Sequence, residues 1–307
     1  MVSRRQFLGA VSAAAALPMV GRAAAATQPA DGYIDAHVHV WTADTQKYPL
    51  ASPYTNRDMV PSSFTPEELF AHCRPAGVAR IVLIQMSFYG FDNSYMLSVM
   101  QQHPGVFSGV AIVDETLADT PQKMKSLREQ GVRGFRLYTD KAKAEAWPTS
   151  AGMQAMWQTA AETKQAMCLL ANPDALPAVA NMCQRYPKTR VVIDHFARIG
   201  MTGKVEEADL DNLCRLAKFE NVFVKTSAFY ALGAKKAPYT DLAPMILRLV
   251  KEFGAARLMW ASDCPYQVQG DHTYAASIGL IRDHLPALST EQKESLLRGT
   301  AEQLFFS

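Results

Sequence analysis

Residues 33–40 read Tyr33-Ile34-Asp35-Ala36-His37-Val38-His39-Val40. From Ile34 onward an apolar residue alternates with an ionisable one, the period-two pattern of a strand. Alternation puts His37 and His39 on one face, with Asp35 expected on the same face one layer deeper. Seven further short apolar runs follow, most of them with β-branched residues: Arg80–Met86, Phe107–Val113, Val132–Tyr138, Ala166–Leu170, Arg190–Asp194, Val222–Thr226 and Arg257–Ala261. Amphipathic stretches separate them, including 66–76, 93–102, 121–130, 152–164, 173–185, 205–219 and 242–253. Eight strand–helix units within one chain predict an α/β fold, a single-domain (β/α)8 TIM barrel over residues 27–307. The later runs are nearly continuous apolar, as strands buried on both faces should be.

The composition agrees. The chain has 307 residues, 49% hydrophobic and 20% charged, which excludes a disordered chain, a collagen and a coiled coil. Three of its 31 basic residues, Arg4, Arg5 and Arg22, precede residue 27, and no acid does. The remaining 28 basic and 29 acidic residues leave a charge of −1. A near-neutral body lacks the footprint of a nucleic-acid or anionic-membrane binder. The five cysteines are odd in number, contain no C-x-x-C and do not read as disulfides; four read as core filler, and Cys264 is set apart only by its neighbour Asp263.

Residues 1–26 read as a cleaved export signal. Ser3-Arg4-Arg5-Gln6-Phe7-Leu8 resembles a twin-arginine motif, and Ala24-Ala25-Ala26 offers a cleavage site. The apolar run Phe7–Leu17 is shorter than the ~20 residues of a membrane span. The expectation is a mature periplasmic protein without a membrane anchor.

Barrel chemistry sits at the C-terminal ends of the strands. There the sequence offers His37 and His39 on strand one and Ser87 and Tyr89 after strand two. Strand four offers Arg136; strand six ends in Asp194-His195, with Arg198 three residues on. Strand seven carries Lys225 and ends in Ser227; strand eight ends in Asp263, followed by Tyr266. The long segment Trp41–Thr65, rich in Trp, Tyr and Pro, is expected to wall or cover the pocket. There is no G-x-S-x-G, H-E-x-x-H or G-x-G-x-x-G motif.

These residues resemble the amidohydrolase superfamily, in its branch of 2-pyrone-4,6-dicarboxylate and sugar lactonases. The resemblance rests on Asp35-x-His37-x-His39 with Val40-Trp41, on Gln85, Ser87 and Gly90-x-Asp92-Asn93, and on Gly131-Val132-Arg133-Gly134-x-Arg136. Asp194-His195-x-x-Arg198, Trp260-x-Ser262-Asp263-x-Pro265 and Gly299-Thr300-Ala301-x-x-Leu304-Phe305 complete it. Binuclear members use a carboxylated lysine on strand four and a histidine on strand five; here those strands offer Arg136 and Met167–Asn172. The resemblance therefore implies no two-metal site. It implies a site without cofactor or, alternatively, one divalent metal such as zinc on His37, His39, His195 and Asp263.

The implied reaction is hydrolysis of a carboxylate-bearing lactone, a small-molecule substrate. Asp263 is the expected general base, and His37, His39 and His195 are expected to stabilise the oxyanion. Arg136 and Arg198 are expected to grip the substrate carboxylate, with Ser87, Tyr89 and Tyr266 adding hydrogen bonds. Two other readings fit the same barrel: a metal-dependent non-oxidative decarboxylase, and a periplasmic binding protein without catalysis.

Overall fold

A computed structural model describes residues 32–307; the expected leader, 1–26, lies outside the described residues. Eight strands run in order as one parallel sheet. They are β1 (Tyr33–Val38), β2 (Val78–Ile84), β3 (Phe107–Ala111), β4 (Val132–Thr139), β5 (Ala166–Ala171), β6 (Arg190–Ile193), β7 (Val222–Thr226) and β8 (Leu258–Trp260). Helices α1 (Pro66–Cys73), α2 (Ser94–Gln102), α3 (Thr120–Glu129), α4 (Lys141–Ala146), α5 (Ala151–Thr163) and α6 (Leu176–Arg185) follow the first five strands. The second half adds α7 (Glu207–Cys214), α8 (Ala243–Phe253) and α9 (Tyr274–Asp283). Finally α10 (Thr290–Glu294) runs through a π-helical turn into α11 (Thr300–Phe305).

The sheet is a nearly closed barrel. β8 is three residues long, so its seam with β1 is made beyond the strand itself. Asp263 N donates to His37 O and His39 N to Cys264 O, both at 2.9 Å. The seam thus runs through His37, His39 and Asp263, three of the residues the sequence singles out.

The barrel interior is filled by apolar side chains, among them Ile34, Val82, Val110, Ala166, Val192, Phe223 and Met259. On β4 the inward position is Gly134, where a Cβ would come 2.9 Å from Ala166 O and 3.1 Å from Cys168 Sγ. Only glycine fits there without displacing β5. Below, α11 closes the barrel with Ala301, Leu304 and Phe305, packing on β1, β4 and β8. Burying a side chain such as Phe305 contributes roughly 1.5–3 kcal/mol. All five cysteines are buried and free, Cys264 as well as the four expected to fill core.

Candidate active site

β1 does not keep strict alternation. Asp35 pairs with Ile81 and Val38 with Leu83, so three steps on β1 match two on β2. The extra residue is a β-bulge, which re-aims the side chains beyond it. Asp35 therefore does not share the face of His37, contrary to the period-two expectation. Its Oδ2 accepts from Tyr274 Oη of α9 (2.6 Å), and its Oδ1 from Ser262 N (2.9 Å) and His37 N (3.2 Å). Burial pushes its carboxyl up to about 6, against the pull of those donors. Asp35 fastens the barrel seam rather than facing substrate.

The bulge points His37 and His39 at each other, with their Nε2 atoms 3.2 Å apart. His39 Nδ1 lies 2.8 Å from Ile84 O, a group that can only accept. These partners assign the His39 proton to Nδ1 and leave a lone pair on Nε2. His37 Nδ1 lies 3.1 Å from Lys225 Nζ, which also stands 3.0 Å from Asp194 Oδ1. An ammonium only donates, so His37 Nδ1 accepts and its proton sits on Nε2, directed at His39 Nε2. Arg136 Nη1 is 3.2 Å from the same His37 Nε2 and, being a donor too, adds no hydrogen bond in that tautomer. Burial, then the Lys225 charge, hold His37 well below the ordinary histidine range, so the ring is neutral. Burial raises Asp194, but the Lys225 ammonium outweighs it and keeps the carboxylate ionised.

Asp263 stands at left-handed φ 64° just past β8. Its Oδ1 lies 3.5 Å from Nε2 of His37 and of His39, and 3.8 Å from His195 Nε2. Its Oδ2 accepts from Tyr230 Oη at 2.7 Å. Burial opposes ionisation here, but His195, foremost among the facing groups, holds the carboxyl below its ordinary range. Burial, then Asp263, push the Tyr230 hydroxyl far up, so it remains a donor. Burial lowers His195, which keeps it neutral. Ser227 Oγ lies 2.7 Å from His195 Nδ1 and fixes the ring.

His195 begins a left-handed turn. Residues 195–198, none of them glycine, have φ between 51° and 63°. Such conformations cost roughly 1–2 kcal/mol per residue. The turn brings both His195 and Arg198 to one cavity of about 740 Å3, which His39, Asp263, Arg136, Ser87, Tyr230 and Tyr266 also line. Arg198 Nη1 donates to Asn172 Oδ1 at 3.1 Å. Among the described residues neither Arg136 nor Arg198 is ion-paired to a carboxylate, which leaves both charges for a ligand.

Two expected site residues do not reach this cavity. His37 has no exposed surface and stands behind His39 and Asp263. Tyr89 is 2% exposed, packs on Phe88 and Tyr95, and accepts from Thr42 N. Ser87–Tyr89 is a 3-10 turn, so residues three apart share a face, and Ser87 meets the cavity with Gly90 instead. From the long β1–α1 segment, Tyr54 forms part of the cavity wall. Tyr230 and Lys225 gained no role from the sequence. Each acts on a residue more than 30 positions away, and the only signals were their places on and just past β7.

Donor atoms of His37, His39 and Asp263 all lie within 4.8 Å of one another, a group that suits one divalent ion. His195 lies outside that group of three. His39 is already oriented for an ion, its far nitrogen carrying the proton. His37 joins only with its proton on Nδ1, facing Asp194 Oδ1 at 3.5 Å, and Lys225 opposes that tautomer.

The fold and this site define an amidohydrolase. The chain belongs to the amidohydrolase family, which it matches over residues 34–306. Among curated proteins it is 30% identical over 244 residues to an L-fucono-1,5-lactonase of Burkholderia ambifaria, covering 78% of this chain and 82% of that protein. It is 27% identical over 286 residues to a 2-pyrone-4,6-dicarboxylate hydrolase of Comamonas testosteroni, covering 90% of each. A solved structure from Pseudomonas putida described as a 2-pyrone-4,6-dicarboxylic acid hydrolase superposes with TM-score 0.75 at 25% identity, covering 90% of this chain and 98% of that one. The curated relatives are thus lactone hydrolases.

Proposed function

We propose that the protein hydrolyses a carboxylate-bearing lactone with Asp263 as general base. The observation that carries this reading is the placement of Asp263: Oδ2 is held by Tyr230, while Oδ1 stays free of strong donors at a cavity lined by two unpaired arginines. Water oxygen adds to the lactone carbonyl carbon as its proton passes to Asp263 Oδ1. The oxyanion meets His195, whose Nε2 donates when the Ser227 hydroxyl donates to Nδ1. His39 presents a lone pair there and His37 is buried, so neither is a direct donor in these tautomers. The ring C–O bond then breaks, and the alkoxide takes the proton back from Asp263, giving a hydroxy acid. Arg136 and Arg198 hold the substrate carboxylate, and Ser87 and Tyr266 add polar contacts at the wall. A divalent ion, when bound by His37, His39 and Asp263, would supply Lewis-acid polarisation of the carbonyl.

Proton release against a panel of aldonic, aldaric and aromatic-derived lactones tests this reading, with and without chelator. Turnover confined to carboxylated lactones is expected, and Arg136→Met should raise KM by about tenfold or more, the scale of a lost charged hydrogen bond. Hydrolysis of no lactone in the panel would overturn it. The same proposal places the mature chain in the periplasm. Fractionation of full-length protein carrying Arg4→Lys and Arg5→Lys tests this: retention in the cytoplasm is expected, and unchanged export would contradict it.

A further inference from the structure

Among the described residues, six large apolar side chains are exposed by more than a third, and four of them line the mouth of this one cavity. They are Tyr138 (54%), Phe91 (47%), Met201 (44%) and Tyr54 (38%). Scattered exposed apolar residues are ordinary, but a cluster ringing a polar site is not. They come from separate places: Tyr54 from the β1–α1 segment, Phe91 from the β2–α2 loop, Tyr138 from β4 and Met201 from the β6–α7 loop.

β4 shows the resulting gradient on one face. Gly134, Arg136 and Tyr138 are successive same-face positions. Gly134 is packed hard against β5, Arg136 offers an unpaired guanidinium, and Tyr138 is more than half exposed. A ligand lying along this face meets charge in the depth and apolar surface at the mouth. A cavity of about 740 Å3 is also of the size that encloses drug-sized ligands, larger than a bare monocyclic lactone acid.

Resting on the lactonase reading, we propose that the substrate is an anionic lactone bearing an aromatic or bulky apolar substituent. The lactone lies at Asp263 and the arginines, and the substituent is held between Phe91, Tyr138, Tyr54 and Met201.

Two measurements test this. The first compares kcat/KM for γ-butyrolactone-γ-carboxylate and its β-phenyl derivative, in the wild type and in Phe91→Ser/Tyr138→Ser. The phenyl lactone should be favoured by about tenfold or more, the scale of about 1.4 kcal/mol expected for buried aromatic contact. The double variant should erase most of that ratio, chiefly through KM. The second compares binding of succinate and phenylsuccinate by calorimetry, which does not depend on turnover. Tighter phenylsuccinate binding in the wild type, lost in the variant, supports the apolar rim even where neither lactone is hydrolysed, in which case the lactonase reading alone fails. Equal treatment of the paired ligands overturns the proposal. So does a rim that proves to be a contact between two copies, shown by sedimentation as a dimer that the double variant dissociates without changing either ratio.

Discussion

The two ends of this barrel are built on opposite principles. The lower end is closed by α11, whose Leu304 and Phe305 are 1% exposed among apolar neighbours. The upper end gathers Asp194, Lys225, His37, His39, His195 and Asp263, all buried and all ionisable. It also holds six of the nine non-glycine residues at positive φ among the described residues: the run 195–198, Ala228 and Asp263. Buried charge and left-handed backbone both oppose folding. The chain tolerates them where they aim side chains at one cavity, and the lower end supplies packing that offsets them. Stability and chemistry are therefore separated along the barrel axis, with Lys225 at the boundary: its Nζ lies 5.7 Å from the Phe305 ring centroid and 3.0 Å from Asp194.

Substitutions at each end can break that separation. Phe305→Ala should have the largest effect on stability, about 3–5 kcal/mol by denaturant titration. The folded fraction should turn over substrate at the wild-type kcat; a comparable fall in kcat would show that the two ends are coupled. Lys225→Met should cost about 3 kcal/mol, because it leaves the Asp194 carboxylate buried without its cation. Unlike Phe305→Ala it should also move the His37 proton from Nε2 to Nδ1, read from imidazole 15N shifts. A proton that stays on Nε2 would show that Lys225 does not set the ring.

Smaller effects sharpen the contrast. Tyr230→Phe removes one hydrogen bond from Asp263 and should lower kcat by about tenfold, with a stability change near 1 kcal/mol. A loss of stability without loss of kcat would make Tyr230 a packing residue. At the lower end, Glu302 joins Arg80 and Arg298, whose hydrogen bonds hold its carboxyl below the ordinary value. The unfolded chain then binds the proton more readily, so this contribution is present above about pH 4.3 and is lost as pH falls through the folded value. The site is partly exposed, so Glu302→Gln should cost under about 1 kcal/mol at neutral pH and less at pH 3, by thermal unfolding. An equal cost at both pH values would contradict the ionic reading.

Much of this was legible in the sequence, and the exceptions have physical causes. β1 and β7 span the residues their patterns indicate, because apolar runs bounded by glycine or asparagine leave little choice. β8 is shorter than Arg257–Ala261, since its edge is completed by Asp35 and by backbone bonds past Trp260. His39, His195, Asp263, Arg136, Arg198, Ser87 and Tyr266 meet at one cavity, as strand-end placement predicts. Asp35 and Tyr89 were misplaced because a bulge and a 3-10 turn shift the period on which facing was judged. Tyr230 and the exposed rim left no local signal: a tyrosine reads alike whether it holds a carboxylate or fills core, and exposure is a property of the assembled barrel.

The most direct test of the account is the kcat for a carboxylated lactone of wild-type protein against Asp263→Asn, alongside the unfolding temperature of each. The account predicts a fall of about a thousandfold or more, the range of a lost general base with its electrostatic role, with the fold intact. An Asp263→Asn protein that unfolds as the wild type does and still hydrolyses the lactone at a similar rate would contradict it.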